Sequence, residues 1–111
     1  MPVPLFFSLL YNQNMPRAAG FIIHGNEIAL IKRLREGRLY YVFPGGQVEE
    51  KESPEQAVVR EIEEELGLKV DVDRLMVKVS HRGRTQYYFL THVTGGKFGT
   101  GAGPEMQGLY P

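Results

Sequence analysis

Residues 46–68 read GQVEEKESPEQAVVREIEEELGL, from Gly46 to Leu68, and this stretch decides how the rest of the 111-residue chain is read. Ser53-Pro54-Glu55-Gln56 has the chemistry of a helix start: a hydroxyl at the N-cap, a proline at the first helical position where its missing N–H removes no bond, and Gln at the capping-box position. Gly67 supplies the matching stop. The interval predicts a helix of about 13 residues, close to the mean for globular domains. On a wheel of about 100° per residue with Ala57 at zero, Glu61, Glu64 and Glu65 fall near 40°, 340° and 80°. Val58, Val59, Ile62 and Leu66 fall between about 100° and 200° on the same wheel. An apolar face that packs on a sheet therefore adjoins a face of three carboxylates.

A Glu-rich helix ordinarily presents such residues to solvent. Here the acids repel one another at spacings of three and four by a few tenths of a kcal/mol per pair, and they oppose the macrodipole near the helix C-terminus. A divalent cation removes that penalty. Clustered oxygen ligands suit hard Mg²⁺ or Mn²⁺, which complete their shells with water and phosphate oxygens.

Outward from the helix, Arg17 to Ile23 and Glu27 to Arg33 are apolar, β-branched runs around His24-Gly25-Asn26, a predicted hairpin. Arg35-Glu36-Gly37-Arg38 reads as a charged loop, and Leu39 to Phe43 as a short aromatic strand stopped by Pro44-Gly45-Gly46. Downstream, Lys69 to Val79 and Thr85 to Val93 predict two strands joined through His81-Arg82-Gly83-Arg84. The pattern is one of strands around a central helix, a single domain over residues 17–111 with residues 1–16 as an N-terminal extension that is not part of it. Residues 1–10 are apolar, but they lack a basic leader, contain Pro2 and Pro4, and are shorter than the roughly 20 residues of a membrane span.

Composition bounds the function. Thirteen acidic residues balance thirteen basic ones, so no global field gathers nucleic acid or an anionic membrane, and a local site must carry the activity. The absence of cysteine excludes disulfides, thiolate metal sites and a thiol nucleophile, and agrees with a cytoplasmic protein.

The spacing of the opening stretch has a match. Gly46, five residues, Glu52, seven residues, Arg60-Glu61-Ile62, one residue, Glu64-Glu65, one residue, Gly67-Leu68 resembles the Nudix box at every defined position, with Phe43-Pro44-Gly45 leading in. The resemblance covers residues 17–94. It implies an α/β (α+β) fold, an α/β/α sandwich with a mixed sheet, in which the C-terminal strand and helix of the family are expected to be missing from this chain. An exposed edge left in that way favours a homodimer. It also implies attack of water on the diphosphate of a nucleoside diphosphate linked to another group, with nucleotide-type small molecules as substrates. By the same analogy Glu61, Glu64 and Glu65 bind the metal with the Gly45 carbonyl, Gly46 lies against the substrate, and Glu52 pairs with Arg60 to hold the loop on the helix. Glu61 or Glu64 serves as general base, and Glu105 is an additional candidate base or ligand. The competing reading is a nucleotide-binding regulatory module with the same fold and no turnover.

Arg17 and Arg33 are candidate phosphate contacts, whereas Lys32 and Arg35 read as solubilising charges. Tyr40, Tyr41, Phe43, Tyr87, Tyr88 and Phe89 are expected mainly in the core. His24, His81 and His92 lack metal spacing and are expected to be structural or exposed. Gly95 to Gly103 lacks the ending of a P-loop and is expected to be a mobile loop beside the site.

Overall fold

The computed structural model describes residues 15–99 and the backbone of residues 109–110. Eight strands and one helix are assigned among them: β1 Arg17–His24, β2 Glu27–Ile28, β3 Leu30–Arg35, β4 Arg38–Val42, β5 Gly45–Gln47, α1 Pro54–Leu66, β6 Leu68–His81, β7 Arg84–Gly96 and β8 Leu109–Tyr110. The main sheet runs β2-β1-β7-β6, with β5 joining the same side of β1 as β2; a second sheet runs β4-β3-β8. β1 and β7 are parallel and the other pairings antiparallel, so the main sheet is mixed as expected.

The helix forms for the reasons its sequence states. The Ser53 hydroxyl accepts from the Gln56 N–H and the Gln56 side chain accepts from the Ser53 N–H, a complete capping box. At the other end Gly67 adopts φ 77°, a left-handed cap, and its N–H bonds to the Glu63 carbonyl. Ala57, Val58, Ile62 and Leu66 are fully buried against the main sheet. Contact with β1 is close because residue 20 has no side chain: a Cβ on Gly20 would sit 2.8 Å from Ile62 Cδ1 and 3.2 Å from Val58 Cγ2. Among the described residues the helical layer lies on one face of the sheet only.

Three local expectations are revised. The second strand is split at Ala29: β2 stays on β1, with the Ala29 N–H bonded to the Ile22 carbonyl, and β3 leaves to pair with β4. The charged loop narrows to a two-residue turn, Glu36 at φ 53° and Gly37 at φ 76°, the mirror-image geometry that tight hairpins favour. The glycine-rich segment is pinned where it begins, since the Lys97 and Gly99 N–H groups bond to the Gly67 and Leu66 carbonyls at the end of α1. These bonds satisfy carbonyls a helix end leaves open, so Lys97 and Gly99 tie the start of the segment to α1. Residues 100–108 lie outside the described residues.

Met15 and Pro16, placed before the domain by sequence, are tied to it. The Pro16 carbonyl accepts from the Val48 N–H at 2.8 Å, and the Met15 carbonyl accepts from Arg84 Nε. On the far side, β6 leaves Leu75, Met76, Val77 and Val79 exposed. No helix among the described residues is long and apolar enough to cross a membrane.

Candidate active site

The loop between β5 and α1 is fixed by Arg60. Its Nε and Nη2 donate to the two oxygens of Glu52 at 2.7 and 3.0 Å, a fork-to-fork pair, and Nη2 also donates to the Gln47 carbonyl at 3.0 Å. Arg60 Nη1 reaches the other way and donates to Glu61 Oε2 and Glu64 Oε1, both at 3.1 Å. One guanidinium thus holds the loop and gathers two acids of the helix face. The Arg60 hydrogen bonds draw the Glu52 carboxyl below its ordinary value of 4.5 against an opposing desolvation.

A group whose folded pKa is depressed contributes stability above its unfolded pKa and loses it as pH falls through the folded value. The Glu52–Arg60 contribution is therefore present above about pH 4.5 and fades below it. Glu52→Gln removes it, so the stability gap between wild type and variant, read from chemical denaturation, is expected to close as the pH falls below about 4. Because Glu52 acts through the loop, turnover in the variant is expected to fall about tenfold. A loss as severe as that of a ligand-acid variant would give Glu52 a direct chemical role.

The other acids differ sharply in environment. Glu65 is 6% exposed; its Oε1 accepts from the Gly45 N–H at 2.9 Å, and its Oε2 lies 4.0 Å from Arg33 Nη2. The Glu61 side chain is 18% exposed and lies against Gly46, where a Cβ would be 2.4 Å from its carboxyl carbon. Burial pushes the Glu61 carboxyl above its ordinary value, only partly offset by Arg60 and Arg17. Glu64, at 57% exposed, is paired with Arg60 at 3.1 Å.

Three carboxylates on one helix face, with a backbone loop packed over two of them, are the donor chemistry of a hard divalent cation. In the conformation seen, no three acidic or histidine side chains among the described residues converge into a metal cage. Arg60 instead lies between Glu61 and Glu64. The chemistry of the donor set suits such a cation, although its cage is not formed in this conformation.

Beside the acids is a cleft of about 330 Å³ whose lining includes Arg17, Arg33, Tyr41, Phe43, Gln86 and Tyr88. Both candidate phosphate contacts are thus brought together, and the Arg33–Glu65 contact joins the cleft to the carboxylate face. Its aromatic wall corrects the expectation of a core role for these rings. Phe89 is core, and Tyr87 packs against the core while also lining the cleft; Phe43 and Tyr88, with centroids 6.1 Å apart at 78°, line it with Tyr41. A second cleft of about 390 Å³, around Ile22, Ile28, Leu68, Val93 and Phe98, has no arginine or lysine in its lining.

His24 and His81 are exposed, and His92 is exposed with its Nδ1 2.7 Å from Asp73 Oδ1, in line with the sequence reading. Arg35 is exposed as expected, while Lys32 is partly buried. Glu105 lies outside the described residues. Gln47 and Gln86, absent from the sequence candidates, flank Arg17 across the sheet. The alternation that puts Arg17 and Tyr88 on one face was the available signal for them.

Known proteins resemble this chain in sequence and in fold. The chain is 32% identical over 99 residues to a MutT-like protein of Streptomyces ambofaciens, an alignment covering 79% of this chain and 64% of that one. It is 47% identical over 45 residues to an 8-oxo-dGTP diphosphatase of Escherichia coli K12, covering 39% of this chain and 35% of the relative. Among solved structures, an ADP-ribose pyrophosphatase of Streptococcus suis superimposes with a TM-score of 0.64 at 25% identity, over 76% of this chain and 63% of that one. The chain spans less than two thirds of the length of the curated sequence relatives compared with it. The NUDIX domain profile matches residues 14–109, which takes in β1, the Arg60-held loop, the carboxylate helix and the cleft; the chain belongs to the NUDIX family.

Proposed function

We propose that the chain is a pyrophosphohydrolase that uses Mg²⁺ or Mn²⁺ to cleave the diphosphate linkage of a nucleoside diphosphate joined to a further group. The observation that carries this reading is the junction of two chemistries: an acidic helix face and a cleft with two arginines and an aromatic wall, joined at Arg33 and Glu65. Phosphate needs cations, a purine or pyrimidine needs a flat apolar surface, and a metal-assisted attack needs carboxylates; residues of all three kinds are adjacent here. The names of the relatives, 8-oxo-dGTP diphosphatase and ADP-ribose pyrophosphatase, fall within this substrate class.

Glu61, Glu64 and Glu65, with the Gly45 carbonyl, would hold the cation. When bound, it offsets charge on phosphoryl oxygens and lowers the pKa of a coordinated water. Glu61, seated against the Gly46 backbone, is the acid assigned to accept the proton of the attacking water. Arg33 and Arg17 orient the phosphates by charge-assisted hydrogen bonds, and Phe43, Tyr41 and Tyr88 seat the base. Arg60 and Glu52 keep the Gly46 loop at the distance from α1 that this arrangement needs.

The test is phosphate release from a panel of nucleoside triphosphates, ADP-ribose and dinucleoside polyphosphates, with coupling enzymes suited to each product. Turnover that requires Mg²⁺ and is abolished by EDTA is expected for at least one class. Silence across the panel from folded protein that still binds nucleotide would replace this reading with that of a regulatory binding module.

A further inference from the structure

Gln47, Arg17 and Gln86 stand in register across β5, β1 and β7, on neighbouring strands of the main sheet. Arg84 is two residues before Gln86 and therefore on the same face. Its Nη2 donates to Gln47 Oε1 at 3.5 Å, and its Nε to the Met15 carbonyl. That accounts for only part of its donor set, since a guanidinium carries five N–H groups. Among the described residues no carboxylate is paired with Arg84; burial first, and then the nearby charge of Arg17, disfavour its cation. The Gln47 Nε2 amide is buried and has no hydrogen-bond partner. Two guanidiniums and an unsatisfied amide thus share a location, and among the described residues no carboxylate is paired with Arg84. Buried donors without acceptors are rare in native proteins, and one oxyanion would satisfy all three groups.

The location also has a direction. Arg17 lines the cleft and acts electrostatically on both Glu61 and Arg84, whereas Arg84 and Gln47 are not part of the cleft lining. A diphosphate seated at the acidic face therefore meets Arg17 first, and only a group beyond it reaches Arg84 and Gln47. We infer that Arg17, Arg84 and the Gln47 amide form an oxyanion subsite for a phosphate beyond the scissile diphosphate. The substrate class is accordingly a nucleoside triphosphate or longer phosphate chain, in preference to a diphosphate joined to an uncharged sugar. This rests on the proposed pyrophosphohydrolase reading and adds a substrate class to it.

The test is calorimetric binding of inorganic pyrophosphate and inorganic triphosphate to the full chain in EDTA, where no metal-dependent turnover takes place. Triphosphate is expected to bind wild type about tenfold more tightly, the increment of one net charge-assisted hydrogen bond. Arg84→Gln is expected to remove this preference and leave pyrophosphate affinity within about twofold, and Arg84→Lys to restore part of it. Because Arg84 also holds the Met15 carbonyl, Gln47→Glu is the second variant: its carboxylate pairs with Arg84, keeps the fold, and occupies the subsite from within. It too is expected to abolish the preference. Equal affinities in wild type, or a preference that survives in Gln47→Glu, overturns the subsite. Binding is read without catalysis, so an inactive protein with the triphosphate preference would sink the hydrolase reading alone, and an active one without it would sink the subsite alone.

Discussion

Glu64→Gln is expected to lower metal-dependent turnover by about 10² to 10³-fold, the usual consequence of removing a group that stabilises charge at a reaction centre. Its melting temperature is expected to stay within about 2 °C of wild type. The position is informative because stability has so little stake in it. Glu64 is more than half exposed, and its ion pair with Arg60 is an i,i+4 surface contact, worth about 0.3–0.5 kcal/mol. Arg60 keeps its two bonds to Glu52 and its bond to the Gln47 carbonyl whether or not Glu64 is charged. A purely structural role for this acid therefore predicts almost no change in rate. Glu65→Gln separates less cleanly: the amide oxygen can still accept from the Gly45 N–H, but Arg33 loses a buried counter-charge, so both turnover and stability are expected to fall. Equal kcat for Glu64→Gln and wild type, with Mg²⁺ saturating, would remove Glu64 from the metal site.

The helix and its acids were legible because their determinants are local. Ser53, Pro54, Gln56 and Gly67 each act within one helical turn, and every capping bond they predict is present. The Glu52–Arg60 pair followed from resemblance, and its fork geometry agrees with the loop-holding role. What sequence did not disclose depends on strands that meet across long intervals. The departure of β3 at Ala29 is decided by competition between β1 and β4 for the same chain, which no local pattern encodes. Tyr88 and Phe43 read as core because an aromatic in a strand does not reveal which face of a sheet is covered; here α1 covers one face and the cleft occupies the other. Glu65 is the converse case. A charged residue at a position bordering the apolar face gave no hint that it would be 6% exposed, since its burial depends on Gly45 and Arg33 arriving from β5 and β3.

The adjacent glycines of β5 separate fold from function by the same added methyl group. A Cβ on Gly45 would lie 2.2 Å from the Ala18 carbonyl oxygen and 2.5 Å from the Ala19 Cα, both backbone atoms of the central strand. Relief requires β5 to withdraw from β1, so Gly45→Ala is expected to cost about 3 kcal/mol, at the upper end for overpacking. That corresponds to a fall in melting temperature of more than about 10 °C for a domain of this size. A Cβ on Gly46 would meet only the Glu61 carboxyl group, at 2.4 to 2.7 Å, the free end of a flexible side chain. Glu61 can swing away at small cost to the fold, but it then leaves the position in which Arg60, Arg17 and the loop set its charge. Gly46→Ala is therefore expected to melt within about 3 °C of wild type while kcat falls about 10²-fold, since displacement of a reacting group by about 1 Å has an effect of that order. The two variants are compared by thermal melting and by kcat on one substrate. If Gly46→Ala keeps its kcat, the seating of Glu61 against the loop is dispensable and the proposed role of Glu61 as proton acceptor fails. If it instead melts as early as Gly45→Ala, the loop cannot yield at Glu61, and the carboxylate is fixed by packing as firmly as the backbone around it.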